Sequence, residues 1–176
     1  MDYSIGKFIA AAKQEKYFDN TVFVFLGDHG ITGNAGNHMP RAWSDLRLTT
    51  GHTPLLIYAP KYLQAARHDM PAQQADVMPT IAGLLNFPYL NKSMGRDLLD
   101  PQFDGKRNSF IIYHSDGPEI GIVDTDTYFT MSANGSNAKL YDLRAEDPQR
   151  DTIKDDKNIQ QKQILTRQLY ETNRYM

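Results

Sequence analysis

Residues 21–26 (Thr-Val-Phe-Val-Phe-Leu) form an unbroken apolar and β-branched run, and Gly27-Asp28-His29-Gly30 follows it directly. Such a run does not alternate between an inner and an outer face. It predicts a strand buried on both faces, as in a parallel sheet. Residues 3–17 lead into it with Ile5, Phe8, Ile9 and Ala12 on one helical face, which makes a helix feeding a strand, half of an α/β unit. Residues 55–59 are a second strand of the same kind, bracketed by Pro54 and Pro60. In open α/β sheets, ligands bind beyond the carboxyl ends of the strands. Asp28 and His29 therefore stand where a site is expected. A carboxylate oxygen beside an imidazole nitrogen suits zinc or manganese. The tripeptide also reads as a plain turn, with Asp capping and Gly supplying a positive φ.

The stretch 27–51 is long and polar, with five glycines, and compact domains seldom keep such a loop without a use for it. It contains His38, and His52 follows it. Residues 75–86 predict a helix with Pro79 in its first turns and Asp76 as its cap. Beyond Asn91 the texture changes. Short strand-like runs at 110–114, 119–124, 127–132 and 138–142 alternate with turn-formers such as Ser115-Asp116-Gly117-Pro118 and Asn134-Gly135-Ser136-Asn137, predicting a small antiparallel sheet. Residues 157–172 predict a closing helix carrying Ile159, Ile164, Leu165 and Leu169. The chain thus divides into an α/β part, 1–100, and an antiparallel part, 101–176.

Two strands buried on both faces need more neighbours than these residues offer, so the sheet is expected to be completed by residues outside the chain. A formal charge of -2 gives no basis for nucleic-acid or anionic-membrane binding through bulk charge. No apolar run approaches the ~20 residues of a membrane span. Asp2-Tyr3-Ser4 after Met1 lacks the pattern of a signal peptide. The absence of cysteine excludes disulfides, thiolate zinc sites and a cysteine nucleophile.

Asn20–Gly30 resembles the strand and metal-ligand loop of the alkaline-phosphatase/sulfatase superfamily, in particular its lipoteichoic-acid synthase, phosphoglycerol transferase and phosphoethanolamine transferase members. Further stretches resemble the same group in the same order. They are His52-Thr-Pro-Leu-Leu-Ile-Tyr, Asp76-Val-Met-Pro-Thr, Gly95-Arg-Asp-Leu-Leu and Leu140-Tyr-Asp-Leu-Arg-Ala-Glu-Asp-Pro. The resemblance implies the C-terminal part of an alkaline-phosphatase-like α/β/α sandwich, followed by a small antiparallel sheet and a C-terminal helix. It implies that Asp28 and His29 bind a catalytic divalent metal, Mn or Zn rather than Ca or Mg. The family's remaining ligands include an upstream acid and a Thr, Ser or formylglycine nucleophile. Neither is among these residues, so the chain reads as a fragment, inactive alone, with Met1 an added or misplaced start.

His38 and His52 are the candidates for substrate contact, with an exposed loop histidine and a hydrogen-bonded structural histidine as the respective alternatives. Arg41 and Arg47 could hold an anionic oxygen or simply be solvated; Trp43 is a lid or an anchor; His68 is expected on the surface and His114 at a strand end. The expected substrate is an anionic phosphate or sulfate ester. A phosphodiester or phosphoglycerol group is the leading reading, a true sulfatase the rival, and a non-catalytic binding module the third. The whole protein is expected at the bacterial inner membrane with a periplasmic or extracellular catalytic domain, associating with the membrane through the missing N-terminal segment.

Overall fold

The computed structural model describes every residue except Met1, Ala35, residues 114–117 and Asp151. The expectation for His114, and part of the 115–118 turn, lie outside the described residues. The chain forms two compact units. One gathers residues 1–30 and 52–67, the other 31–51 and 68–176. A cut at residue 100 divides the chain differently.

The first unit holds helix α1 (Asp2–Ala12) and strands β1 (Phe23–Leu26) and β2 (Leu55–Tyr58). α1 stops earlier than its sequence period suggests, because Gln14 and Glu15 donate to Ala11 and Ala12, tightening the last turn into i→i+3 bonds. Phe8 of α1 meets the rings of Phe23 and Phe25 edge-on, at 5.8 and 6.2 Å between centroids. Phe18 joins them, 5.7 Å from Phe23 and 6.3 Å from Tyr58. Edge-to-face ring pairs of this kind contribute about 0.5–1.5 kcal/mol each beyond their burial.

Two expectations are corrected here. β1 and β2 pair antiparallel, with Phe23 opposite Tyr58 and Leu26 opposite Leu55. An apolar run records what flanks a strand and carries no record of its direction. Direction follows from the connection, and residues 27–54 leave and re-enter at the same end of the sheet, as an antiparallel pair requires. Nor is the pair buried on both faces. The aromatic cluster meets Phe23, Phe25 and Tyr58 on one face, yet Leu56 on that same face is 49% exposed, and Leu26 and Leu55 on the other are 47% and 36% exposed.

The second unit is built on a four-stranded antiparallel meander in chain order, β3 (Ser109–Tyr113), β4 (Glu119–Val123), β5 (Thr127–Ser132) and β6 (Lys139–Asp142). This is the small sheet expected from the sequence. Ile120, Phe129, Met131 and Leu140 line one face and pack with Ile159 and Tyr170 of the C-terminal helix α4 (Asp156–Tyr175). Asp155 caps α4 by accepting from the Asn158 N–H at 3.0 Å. Ile164 and Leu165 of the same helix are exposed. On the opposite sheet face Val123, Tyr128, Tyr141 and Leu143 pack with Ala42 and Leu48. These two come from the polar stretch, which folds into the short helix α2 (Arg41–Asp45) and a 3-10 turn at Leu48–Thr50.

Helix α3 (Val77–Leu84) forms where expected, but Asp76 does not cap it. The Asp76 carboxylate is 2% exposed and accepts from the backbone N–H of Gln73 (2.9 Å) and of Arg96 (2.8 Å). The Thr80 hydroxyl donates to the Asp76 carbonyl at 2.6 Å and accepts from the Leu98 N–H at 2.9 Å. The Asp-x-x-Pro-Thr and Gly-x-x-Leu stretches are therefore two halves of one clamp. A buried carboxylate bonds where unpaired N–H groups would otherwise be stranded; here one is Gln73 N–H, in a capping box at the start of a 3-10 turn (Gln74–Asp76), and the other is Arg96 N–H, twenty residues downstream.

Candidate functional site

Gly27 continues the β1–β2 ladder by donating to the Pro54 carbonyl at 3.2 Å, and a Cβ on it would stand 3.0 Å from the Thr53 Cβ. That passage is tighter than an ordinary Cβ contact and favours glycine at the carboxyl end of β1. Asp28 and His29 follow immediately. The His29 N–H donates to Asp28 Oδ1 at 2.9 Å, and His29 Nδ1 lies 2.8 Å from the Gly30 carbonyl. A carbonyl can only accept, so the contact assigns the ring proton to Nδ1 and leaves the Nε2 lone pair for a ligand. Nε2 is 3.7 Å from Asp28 Oδ2. Two ligand atoms that far apart can both reach one ion at the usual bond lengths of about 2.0–2.2 Å. The donor set, one carboxylate oxygen and one imidazole nitrogen with its other nitrogen held by a carbonyl, fits a borderline divalent ion.

The same contacts set the proton affinities. The bond from the His29 N–H, then that from Asp28's own N–H and the nearby imidazole charge, hold the Asp28 carboxyl below its usual value. The Gly30 carbonyl, then the Asp28 charge, raise His29 above its usual value. Both side chains are largely open to solvent, 89% and 74% exposed, rather than converging in a cleft. Among the described residues, no group of three His, Cys, Asp or Glu side chains is placed to hold an ion.

The remaining candidates separate. His52 is exposed just ahead of β2 in the first unit, and His38 is exposed at the end of a 3-10 turn (Gly36–His38) in the second. Arg41 pairs with Asp45 one helical turn on, at 3.0 Å. Arg47 takes a left-handed conformation (φ 59°), and its carbonyl accepts from the Tyr113 hydroxyl at 3.3 Å. Trp43 packs against the second unit's core and is an anchor. The polar stretch spends hydroxyls on itself, with Thr32 and Thr50 3.3 Å apart and Thr49 donating to the Gly33 carbonyl. His68 is exposed in a connector.

This fold is that of the alkaline-phosphatase-like sulfatases. The lipoteichoic acid synthase LtaP from Listeria monocytogenes superposes with a TM-score of 0.72 at 17% identity, over 99% of this chain and 43% of that one. BT4656, solved in complex with its substrate D-glucosamine-2-N,6-O-disulfate, gives a TM-score of 0.62 at 21% identity, over 98% of this chain and 38% of that one. Residues 1–87 match the Sulfatase family model. GPI ethanolamine phosphate transferase 2 of Aspergillus oryzae is 34% identical over 108 residues, and that of Aspergillus fumigatus 30% over 108. Each alignment spans 54% of this chain but only 12% and 13% of those proteins. The chain therefore spans a small part of these relatives' length.

Proposed function

We propose that the chain is part of a metal-dependent sulfatase-family enzyme that transfers or hydrolyses a phosphodiester or phosphoglycerol-type group. The observation that carries this reading is the Asp28–His29 pair at the carboxyl end of β1, with Oδ2 and Nε2 3.7 Å apart. Its position inside the stretch that matches the Sulfatase family model supports the same reading. The two relatives named as phosphate transferases favour phosphate over sulfate esters. Asp28 and His29 would hold a divalent ion, Mn or Zn rather than Ca or Mg. When bound, such an ion stabilises charge on the transferred group. Asp28 is kept ionised by the His29 N–H, and Gly30 holds the neutral His29 ring in the tautomer that presents its lone pair at Nε2. His38 and His52 would contact the anionic ester. The nucleophile and further ligands would come from outside these residues, as would any membrane association of a periplasmic or extracellular enzyme.

The protein extended upstream is expected to turn over a bis-aryl phosphodiester faster than an aryl sulfate, in a manner abolished by chelation. Preference for the sulfate would hand the reading to a true sulfatase. Metal-independent turnover, or none with either ester, would leave it without support.

For the chain alone, metal binding should be weak and should fall with acidity. A proton and an ion compete for His29 Nε2, and the raised proton affinity of His29 favours the proton. Affinity for Mn²⁺ is therefore expected to be full above the His29 pKa and to be lost as pH falls through it. That loss should begin at a higher pH than an ordinary imidazole would give. Asp28, held below its usual range, stays ionised throughout this window. Calorimetric titrations at pH 8 and pH 6 test this, and equal affinity at both would contradict it.

A further inference from the structure

The hairpin between β5 and β6 turns through Asn134-Gly135-Ser136. Of the chain's asparagines, only Asn134 precedes a glycine. Asn134 is exposed, and Gly135 takes a left-handed conformation, with φ +91°. The Asn134 side chain accepts two bonds, from the Ser136 N–H at 2.9 Å and from the Ser136 hydroxyl at 2.7 Å. A backbone N–H can only donate, which fixes the accepting atom as Oδ1. Nδ2 is left without a partner among the described residues.

A carbonyl that accepts two donors is polarised toward attack, since the same donors stabilise the oxygen as it gains charge. The nearest nucleophile is the Gly135 nitrogen, whose residue has no Cβ to crowd the approach. One bond opposes it, because the Gly135 N–H donates to the Ser132 carbonyl at 2.8 Å. Asn91 makes the contrast. Its Nδ2 donates to the Gly95 carbonyl at 2.8 Å and Lys92 follows it, so its leaving group is held and its nucleophile is crowded.

We propose that Asn134 converts spontaneously to aspartate and isoaspartate, and that the isoaspartyl form loosens the hairpin from α4. Hydroxide removes the Gly135 amide proton, and the nitrogen bonds to Asn134 Cγ. The Cγ–Nδ2 bond breaks, and Nδ2 leaves as ammonia with a proton taken from water. A second water then opens the cyclic imide at either carbonyl. One opening yields aspartate. The other routes the main chain through the side chain and adds a methylene to it. That extra length falls inside a loop closed by the Ser132 N–H donating to the Ser136 carbonyl at 2.9 Å. α4 is tied to the same turn. Gln163 Nε2 donates to the Gly135 carbonyl at 2.9 Å, and a Cβ on Gly135 would stand 2.6 Å from Arg167 Nη2. The proposal does not depend on the metal reading.

The intact chain would be incubated at pH 8 and at pH 6 and mapped by peptide mass, with enzymatic methylation marking isoaspartate. Conversion is expected first in the peptide carrying Asn134, and faster at pH 8, where hydroxide is more abundant. Ser136→Ala removes one of the two donors to Oδ1. It should slow conversion roughly threefold, a small effect beside that in a buried oxyanion site because the turn is exposed. Aged protein rich in isoaspartate should melt below fresh protein. Asn134→Asp adds the charge without lengthening the chain and should melt as the parent does. Earlier conversion at another asparagine, no conversion at Asn134, or Ser136→Ala converting as fast as the parent or faster would overturn the assignment. An unchanged melting temperature after conversion, or an equal drop in Asn134→Asp, would overturn the loosening by isoaspartate.

Discussion

Gly95→Ala is expected to destabilise the second unit by roughly 3 kcal/mol or more, at the upper end of what overpacking costs. A Cβ at Gly95 would stand 1.8 Å from the Ala75 carbonyl oxygen and 2.4 Å from its carbon. The obstacle is backbone, so no rotamer change relieves it. Retreat is blocked as well. The Gly95 carbonyl accepts from Asn91 at 2.8 Å, and the next N–H is held by the buried Asp76 carboxylate. Gly51→Ala in the same unit is the control. Its φ is -93° and its Cβ would meet only the Leu48 carbonyl at 3.9 Å, so it should be neutral or stabilising by up to ~1 kcal/mol. Urea unfolding followed by Trp43 fluorescence and circular dichroism measures both. A Gly95→Ala loss below ~1 kcal/mol would show that the clamp yields.

Asp28→Ala in the upstream-extended protein should lower kcat/KM for a phosphodiester by roughly three orders of magnitude. A Lewis-acid ion contributes several kcal/mol to the transition state, and each ~1.4 kcal/mol is a factor of ten. Asp28 also receives the His29 N–H, so on the proposed metal reading the variant would lose one ligand and loosen the other. Because Asp28 is exposed, stability should hold, and the loss should appear in kcat rather than in the unfolding curve. A loss of less than tenfold would mean that Asp28 lies outside the metal site. Asp28→Asn separates charge from shape. It keeps an oxygen where Oδ1 accepts from His29, and it should recover only part of the rate.

What the sequence made legible was whatever repeats locally. The meander announced itself through alternation and turn-formers, and Gly135 and Asn137 take the positive φ that such turns need, +91° and 57°. β1 and the glycine-flanked Asp28–His29 turn were equally plain, since apolar content and glycine placement act within a few residues. The direction of β2 was not, because antiparallel pairing depends on where a long connection re-enters. Asp76 misled by position. It precedes a helix like a cap, yet one of its two partners is Arg96, and no local pattern encodes a bond that distant. His38 and His52 look equivalent as loop histidines, and only the fold assigns them to different units.

The pairing of β1 with β2 across residues 27–54 also bears on how the chain acquires its shape. β4 and β5 are separated only by residues 124–126, so their hairpin closes a short loop. Closure entropy grows with loop length, and local pairings form on faster timescales than distant ones. The meander should therefore be the early nucleus, with the β1–β2 pair assembling late. On a ribosome the order matters more. Phe23 and Phe25 emerge well before Leu55 and Leu56, so a nascent chain carries an unpaired aromatic strand until its partner is made. That interval is when a chaperone would have most to cover, and it is set by topology rather than by the strength of any contact.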